Sequence, residues 1–117
     1  MQDFDEVFKR LKGILEPYAE QLVVKGDQPG NYYLESSYSE KWKKPMFFGS
    51  AKIQKNYVSF YLMPVYMFPE LLGGISSGLK KRMQGKSCFN FKGVDDIAFA
   101  ELASLTKKGF DRFEKEV

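Results

Sequence analysis

The stretch Met46-Phe47-Phe48-Gly49-Ser50-Ala51-Lys52-Ile53-Gln54-Lys55-Asn56-Tyr57-Val58-Ser59-Phe60-Tyr61-Leu62-Met63 decides the fold. Its side chains alternate on both sides of Lys55-Asn56, the two-residue period of a half-buried strand. Asn tolerates positive φ, so Lys55-Asn56 reads as a two-residue hairpin turn. The alternation sends Phe47, Gly49, Ala51 and Ile53, with Val58, Phe60 and Leu62, toward a core. It sends Met46, Phe48, Ser50 and Lys52, with Tyr57, Ser59, Tyr61 and Met63, the other way.

A second hairpin precedes it. Residues 22–27 and 31–36 flank Pro29-Gly30, a pair that fits the centre of a type II turn, with Pro fixing φ and Gly accepting φ > 0. Residues 37–45 read as a polar, basic loop around Trp42. Phe4, Val7, Phe8, Leu11, Leu15, Tyr18 and Leu22 recur at helical spacing, and Pro17 predicts a kink or an end. Beyond the central hairpin, Pro69 suits a helix start. The Gly73–Gly78 run splits the region into two short helices, the second capped by Ser76 or Ser77 and ending at Gly85. Residues 87–92 form a short strand. Asp95 or Asp96 caps a last helix with the stripe Phe99, Leu102, Ala103, Phe110, Phe113 and Val117. The prediction is one α+β domain over 1–117: a mainly antiparallel five-stranded sheet packed with N-terminal, middle and C-terminal helices, in the order α-β-β-β-β-α(α)-β-α.

Composition narrows the chemistry. The 117 residues contain no histidine and one cysteine. Imidazole bases, Ser-His and Cys-His nucleophile systems and most zinc sites are therefore out. Eleven Phe and seven Tyr argue against disorder. No apolar run approaches the ~20 residues of a membrane span. The start Met1-Gln2-Asp3-Phe4-Asp5-Glu6 is acidic and unlike a signal peptide, which with the lone cysteine predicts a reducing, cytoplasmic location.

Charge is blocked along the chain. Residues 1–40 carry eight acids and four bases, residues 41–92 carry ten bases and only Glu70, and residues 93–117 carry six acids and four bases. The middle block is either a set of solvated lysines or a positive surface. Weak nucleic-acid binding there, with Trp42 and tyrosines stacking on bases, is a further alternative, against which stand the lack of a recognised motif and the acidic flanks; an enzyme is less expected still, because no spacing nominates an acid-base pair.

Other constellations fall short. The Gly73–Gly78 run lacks the Lys and hydroxyl of a phosphate loop at the required places. Cys88 sits on a strand with no activating partner and reads as packing. Asp3 and Glu6 on the first helix, with Asp95 and Asp96 on the last, are the available hard-cation ligands, and also ordinary helix-start charges. No cofactor is expected; iron on these four carboxylates is the alternative.

The sheet face away from the core is the informative feature, because a solvated face is normally polar. Here it carries aromatic bodies with hydroxyl tips, as binding surfaces do. The candidate site residues are Trp42, Lys44, Phe48, Ser50, Lys52, Tyr57, Ser59, Tyr61 and Asn90. Their expected partner is a small anionic or aromatic ligand, or a second copy of the chain.

Three stretches carry a resemblance: Lys44-Pro45-Met46-Phe47-Phe48-Gly49, Lys55-Asn56-Tyr57-Val58-Ser59-Phe60-Tyr61-Leu62-Met63-Pro64, and Lys80-Lys81-Arg82-Met83-Gln84-Gly85-Lys86-Ser87-Cys88-Phe89-Asn90-Phe91. They resemble the YdhG-like family of small bacterial proteins of unknown function. The resemblance implies this fold over nearly the whole chain. One branch of that family is described as frataxin-like, which would imply an iron-binding acidic surface. This chain lacks a dense acidic ridge, so the fold is carried over and the iron residues are not.

Overall fold

A computed structural model describes residues 3–117; Met1 and Gln2, the first residues of the acidic opening stretch, lie outside them. Helix α1 (Phe4–Leu15) leads through a 3-10 turn (Glu16–Tyr18) into β1 (Val23–Gln28), β2 (Asn31–Ser39), β3 (Lys44–Ile53) and β4 (Val58–Leu62). Short helices α2 (Met63–Met67) and α3 (Ser77–Lys80), with a 3-10 segment (Pro69–Gly74) between them, connect to β5 (Cys88–Phe91) and α4 (Asp96–Glu116). The fold is α+β, and the strands lie in the order β1-β2-β3-β4-β5, antiparallel throughout.

Local chemistry accounts for most boundaries. Asp3 caps α1 by accepting the Glu6 amide proton at 3.1 Å. The α-helix ends at Leu15, two residues before Pro17, whose missing N–H and ring stop the ladder. Gly30 closes the first hairpin at φ +78°, the left-handed conformation that a type II turn requires. The Gln54 amide donates to the Tyr57 carbonyl at 2.8 Å, so the central hairpin turns on Lys55-Asn56 as read. Asp95 caps α4 through the Ala98 amide at 3.0 Å.

Helices α1 and α4 cover one face of the sheet, here the inner face. Phe48, Phe60, Phe89, Phe91 and Phe113 are fully buried between them with Leu11, Leu15, Leu34, Leu62 and Leu102. Packing is close enough to crowd an added methyl group. A Cβ on Gly49 would stand 3.1 Å from Leu15, and one on Gly109 of α4 would stand 2.9 Å from Pro64 of α2.

The structure corrects the predicted face assignment at one place. Leu34 pairs with Gly49 but Glu35 pairs with Phe47, so Phe48 is an extra residue in β3. Such a bulge reverses the parity of everything before it. Phe48 therefore points inward, with Phe110 and Phe113 at ring-centroid distances of 5.7 and 5.1 Å. Met46 follows it and packs against the core. Phe47 takes the outer position and stacks on Tyr33 at 4.7 Å. A second irregularity lies between Glu35 and Tyr38, where the Ser36 hydroxyl accepts the Met46 amide proton at 2.9 Å.

Smaller differences follow from tertiary contacts. The loop around Trp42 is only residues 40–43, because β2 and β3 extend to pair Ser39 with Lys44. Met63 opens α2 and does not prolong β4. Helix α3 is capped by Ser76 but ends at Lys80. Residues 82–84 then run along β5, with the Asn90 amide donating to the Arg82 carbonyl and the Gln84 amide to that of Cys88, both at 2.8 Å. On α4, Leu105 and Thr106 are buried where the stripe predicted Ala103, which is exposed.

Candidate functional site

Strand register fixes the outer face row by row. Gly26, Tyr33, Ser50, Tyr61 and Cys88 are successive partners across all five strands. The next row is Gln28, Asn31, Lys52, Ser59 and Asn90. Small Ser50 stands between two tyrosines, so the first row is high on both sides and low in the middle. A trough results, floored by Ser50, walled by Tyr33, Phe47 and Tyr61, and rimmed by Asn31, Lys52 and Gln54, with a volume of about 410 Å³.

Beyond Tyr61 the floor continues as Ser59, Cys88 and Asn90. Ser59 and Cys88 are buried there. The Ser59 hydroxyl and the Cys88 thiol both donate to Asn90 Oδ1, at 2.8 and 3.3 Å. That fixes the amide with its Nδ2 turned the other way. A second concavity of about 390 Å³ follows, lined by Asn56, Tyr57, Lys81, Arg82, Met83, Gln84, Asn90 and Lys92. A smaller cleft of about 110 Å³ lies on the helix side, beside Ser36, Phe110 and Glu114.

Burial sets the electrostatics of the face. It pushes the Tyr61 phenol above its ordinary range, with the Cys88 thiol beside it adding to the rise. It pushes Tyr33 up too, helped by the Glu35 carboxylate. The Cys88 thiol also rises on burial, although the Ser59 and Tyr61 hydroxyls pull it back in part. Each stays protonated at neutral pH, so each offers a hydrogen bond and not a nucleophile.

Of the predicted site residues, Ser50, Lys52, Tyr57, Ser59, Tyr61 and Asn90 share this outer face. Phe48 does not, because the bulge turns it into the core. Trp42 and Lys44 stand at the other end of β3, with Lys44 six residues, about 20 Å of extended strand, from Ser50. The exposed Trp42 ring lies under the Lys41 ammonium. Sequence reasoning missed Asn31, Tyr33, Phe47 and Gln54 in the trough. The alternation of Asn31, Tyr33 and Glu35 was a readable signal for the first two.

Three of the four candidate metal carboxylates, all but Glu6, have structural partners. Asp3 and Asp95 accept helix amides, Asp95 also meets Arg82 at 3.3 Å, and Asp96 meets Arg10 at 2.5 Å. Among the described residues, no group of three or more His, Cys, Asp or Glu is gathered as a metal ion would need. Nor is any described helix long and apolar enough to cross a membrane. Set against known proteins, the chain matches no family model, no curated protein and no solved structure.

Proposed function

We propose that this protein is a non-enzymatic binding module of the cytoplasm, and that its site is the trough over Ser50. The observation that carries the reading is the aromatic-walled depression on a sheet face that no helix covers. Tyr33, Phe47 and Tyr61 offer flat apolar surface, while Asn31, Lys52 and Gln54 offer donors at the rim. A small flat ligand with an anionic or carbonyl substituent matches that lining. Binding is favoured over catalysis because burial holds Tyr33, Tyr61 and Cys88 protonated, and no histidine is present to move a proton. Membership of the YdhG-like family is part of the proposal and rests on the three sequence stretches alone.

The test is a fragment screen followed by two-dimensional NMR on the whole chain. Flat heteroaromatic acids are expected to shift the amides of residues 33, 50 and 61. Tyr61→Ala and Ser50→Leu, each checked for folding by its melting curve, should weaken those shifts about tenfold. Failure of any flat compound to reach these amides overturns the reading. A concentration-dependent dimer whose contacts cover residues 33 and 61 would replace the ligand with a second copy.

A further inference from the structure

The basic middle block has a destination that the trough does not use up. Strands β3, β4 and β5 contain no acidic residue, and the one acid between residues 41 and 92, Glu70, is tied to Arg112 at 2.8 Å. On the outer side of these strands stand Lys52, Lys81 and Lys92, none of which has a carboxylate within ion-pair distance among the described residues. Lys81 reaches the groove because residues 82–84 bind along β5, which places the end of α3 beside Lys92. Between these cations lie two neutral polar groups, the Ser59 hydroxyl and the Asn90 amide. Asn90 Oδ1 is taken by Ser59 and Cys88, so Nδ2 is left as a donor on the groove side.

We propose that this groove is the phosphate subsite of the binding face, and that the ligand is a small phosphorylated compound. This rests on the trough reading and adds the ligand's chemistry. Two ammonium groups and an oriented amide N–H suit a phosphate, which needs several charge-assisted donors at once. Asn90 lies two strands across and two residues along from Ser50, about 12 Å. A nucleoside monophosphate has that reach, with its flat part over Ser50 and its phosphate at Lys81 and Lys92. A long polyanion is disfavoured, because it would run onto Asp95 and Asp96 past Arg82 and onto Glu35 beside Phe47.

Inorganic pyrophosphate tests the subsite without assuming the flat part. On the whole chain at low salt it should saturably shift the amides of residues 81, 90 and 92 and the Asn90 side-chain amide. The pair Lys81→Glu and Lys92→Glu should weaken it about tenfold or more, and Asn90→Asp should do so while keeping the Oδ1 acceptor. Lys108→Glu, an exposed charge change on α4, should leave it unchanged. No saturation, or affinity indifferent to these substitutions, overturns the inference. So does a single-stranded oligonucleotide that binds more tightly than a mononucleotide and with steep salt dependence, since the groove would then belong to a polymer surface. A trough that takes flat compounds beside a groove silent to pyrophosphate sinks the phosphate subsite alone. Pyrophosphate shifts without any flat ligand at Tyr33 and Tyr61 sink the trough and leave the groove.

Discussion

The two faces of the same sheet are built from one alternating sequence and meet opposite fates. Toward the helices, Phe48, Phe60, Phe89 and Phe91 are fully buried, and a methyl group on Gly49 would crowd Tyr61 and Leu15. Away from them, the same strands place serines, tyrosines, a lysine and an asparagine around two concavities. The inner face is filled by apolar side chains until nothing fits. The outer face alternates large and small residues across the strands, and so keeps space open.

The sharpest way to break that comparison is at the bulge. Phe48→Ala should cost about 3–5 kcal/mol, the usual loss for a buried phenylalanine. Phe47→Ala, which gives up one aromatic pairing on the outer face, should cost about 1 kcal/mol or less. Urea unfolding of the two variants measures both, and equal losses would mean that the parity reversal is absent. Crowding gives the next effect. Gly109→Ala pushes a methyl against Pro64 and should cost about 1–3 kcal/mol, whereas Ser50→Ala in the open trough should stay within about 0.5 kcal/mol. Asp95→Ala removes the α4 cap and should cost about 1 kcal/mol, read from the same denaturation curves.

The smallest effect is a pH slope. Tyr33 and Tyr61 have phenols raised by burial. The unfolded chain therefore loses these protons first as pH rises. Stability from this source is whole below the free-tyrosine value near 10 and declines as pH climbs from there through the higher folded values. Tyr61→Phe should flatten that alkaline decline in melting temperature, and an unchanged slope would place the phenol in solvent.

Much of this was legible in the chain. The turn at Lys55-Asn56, a cap at Asp95 or Asp96, a kink or end near Pro17 and the placing of Tyr61 with the two serines on one face follow from period and turn chemistry. The bulge was not legible. Phe47-Phe48-Gly49 offers two adjacent phenylalanines, and nothing local says which is inward; the pairing with Leu34 and Glu35 decides it. The separation of Trp42 and Lys44 from the trough follows from β3 running on past the predicted loop. Lys81 read as a cation suiting the end of its own helix, since its neighbour Lys92 is reached only through the strip that binds β5.

That strip has one more consequence. Residues 82–84 occupy the border of β5, and they stop at Gly85, where the backbone turns left-handed. The opposite border, β1, keeps Val23 and Val24 exposed. Among the described residues no strand pairs with the outer side of β1, so a further strand added to this sheet would find its backbone partners there.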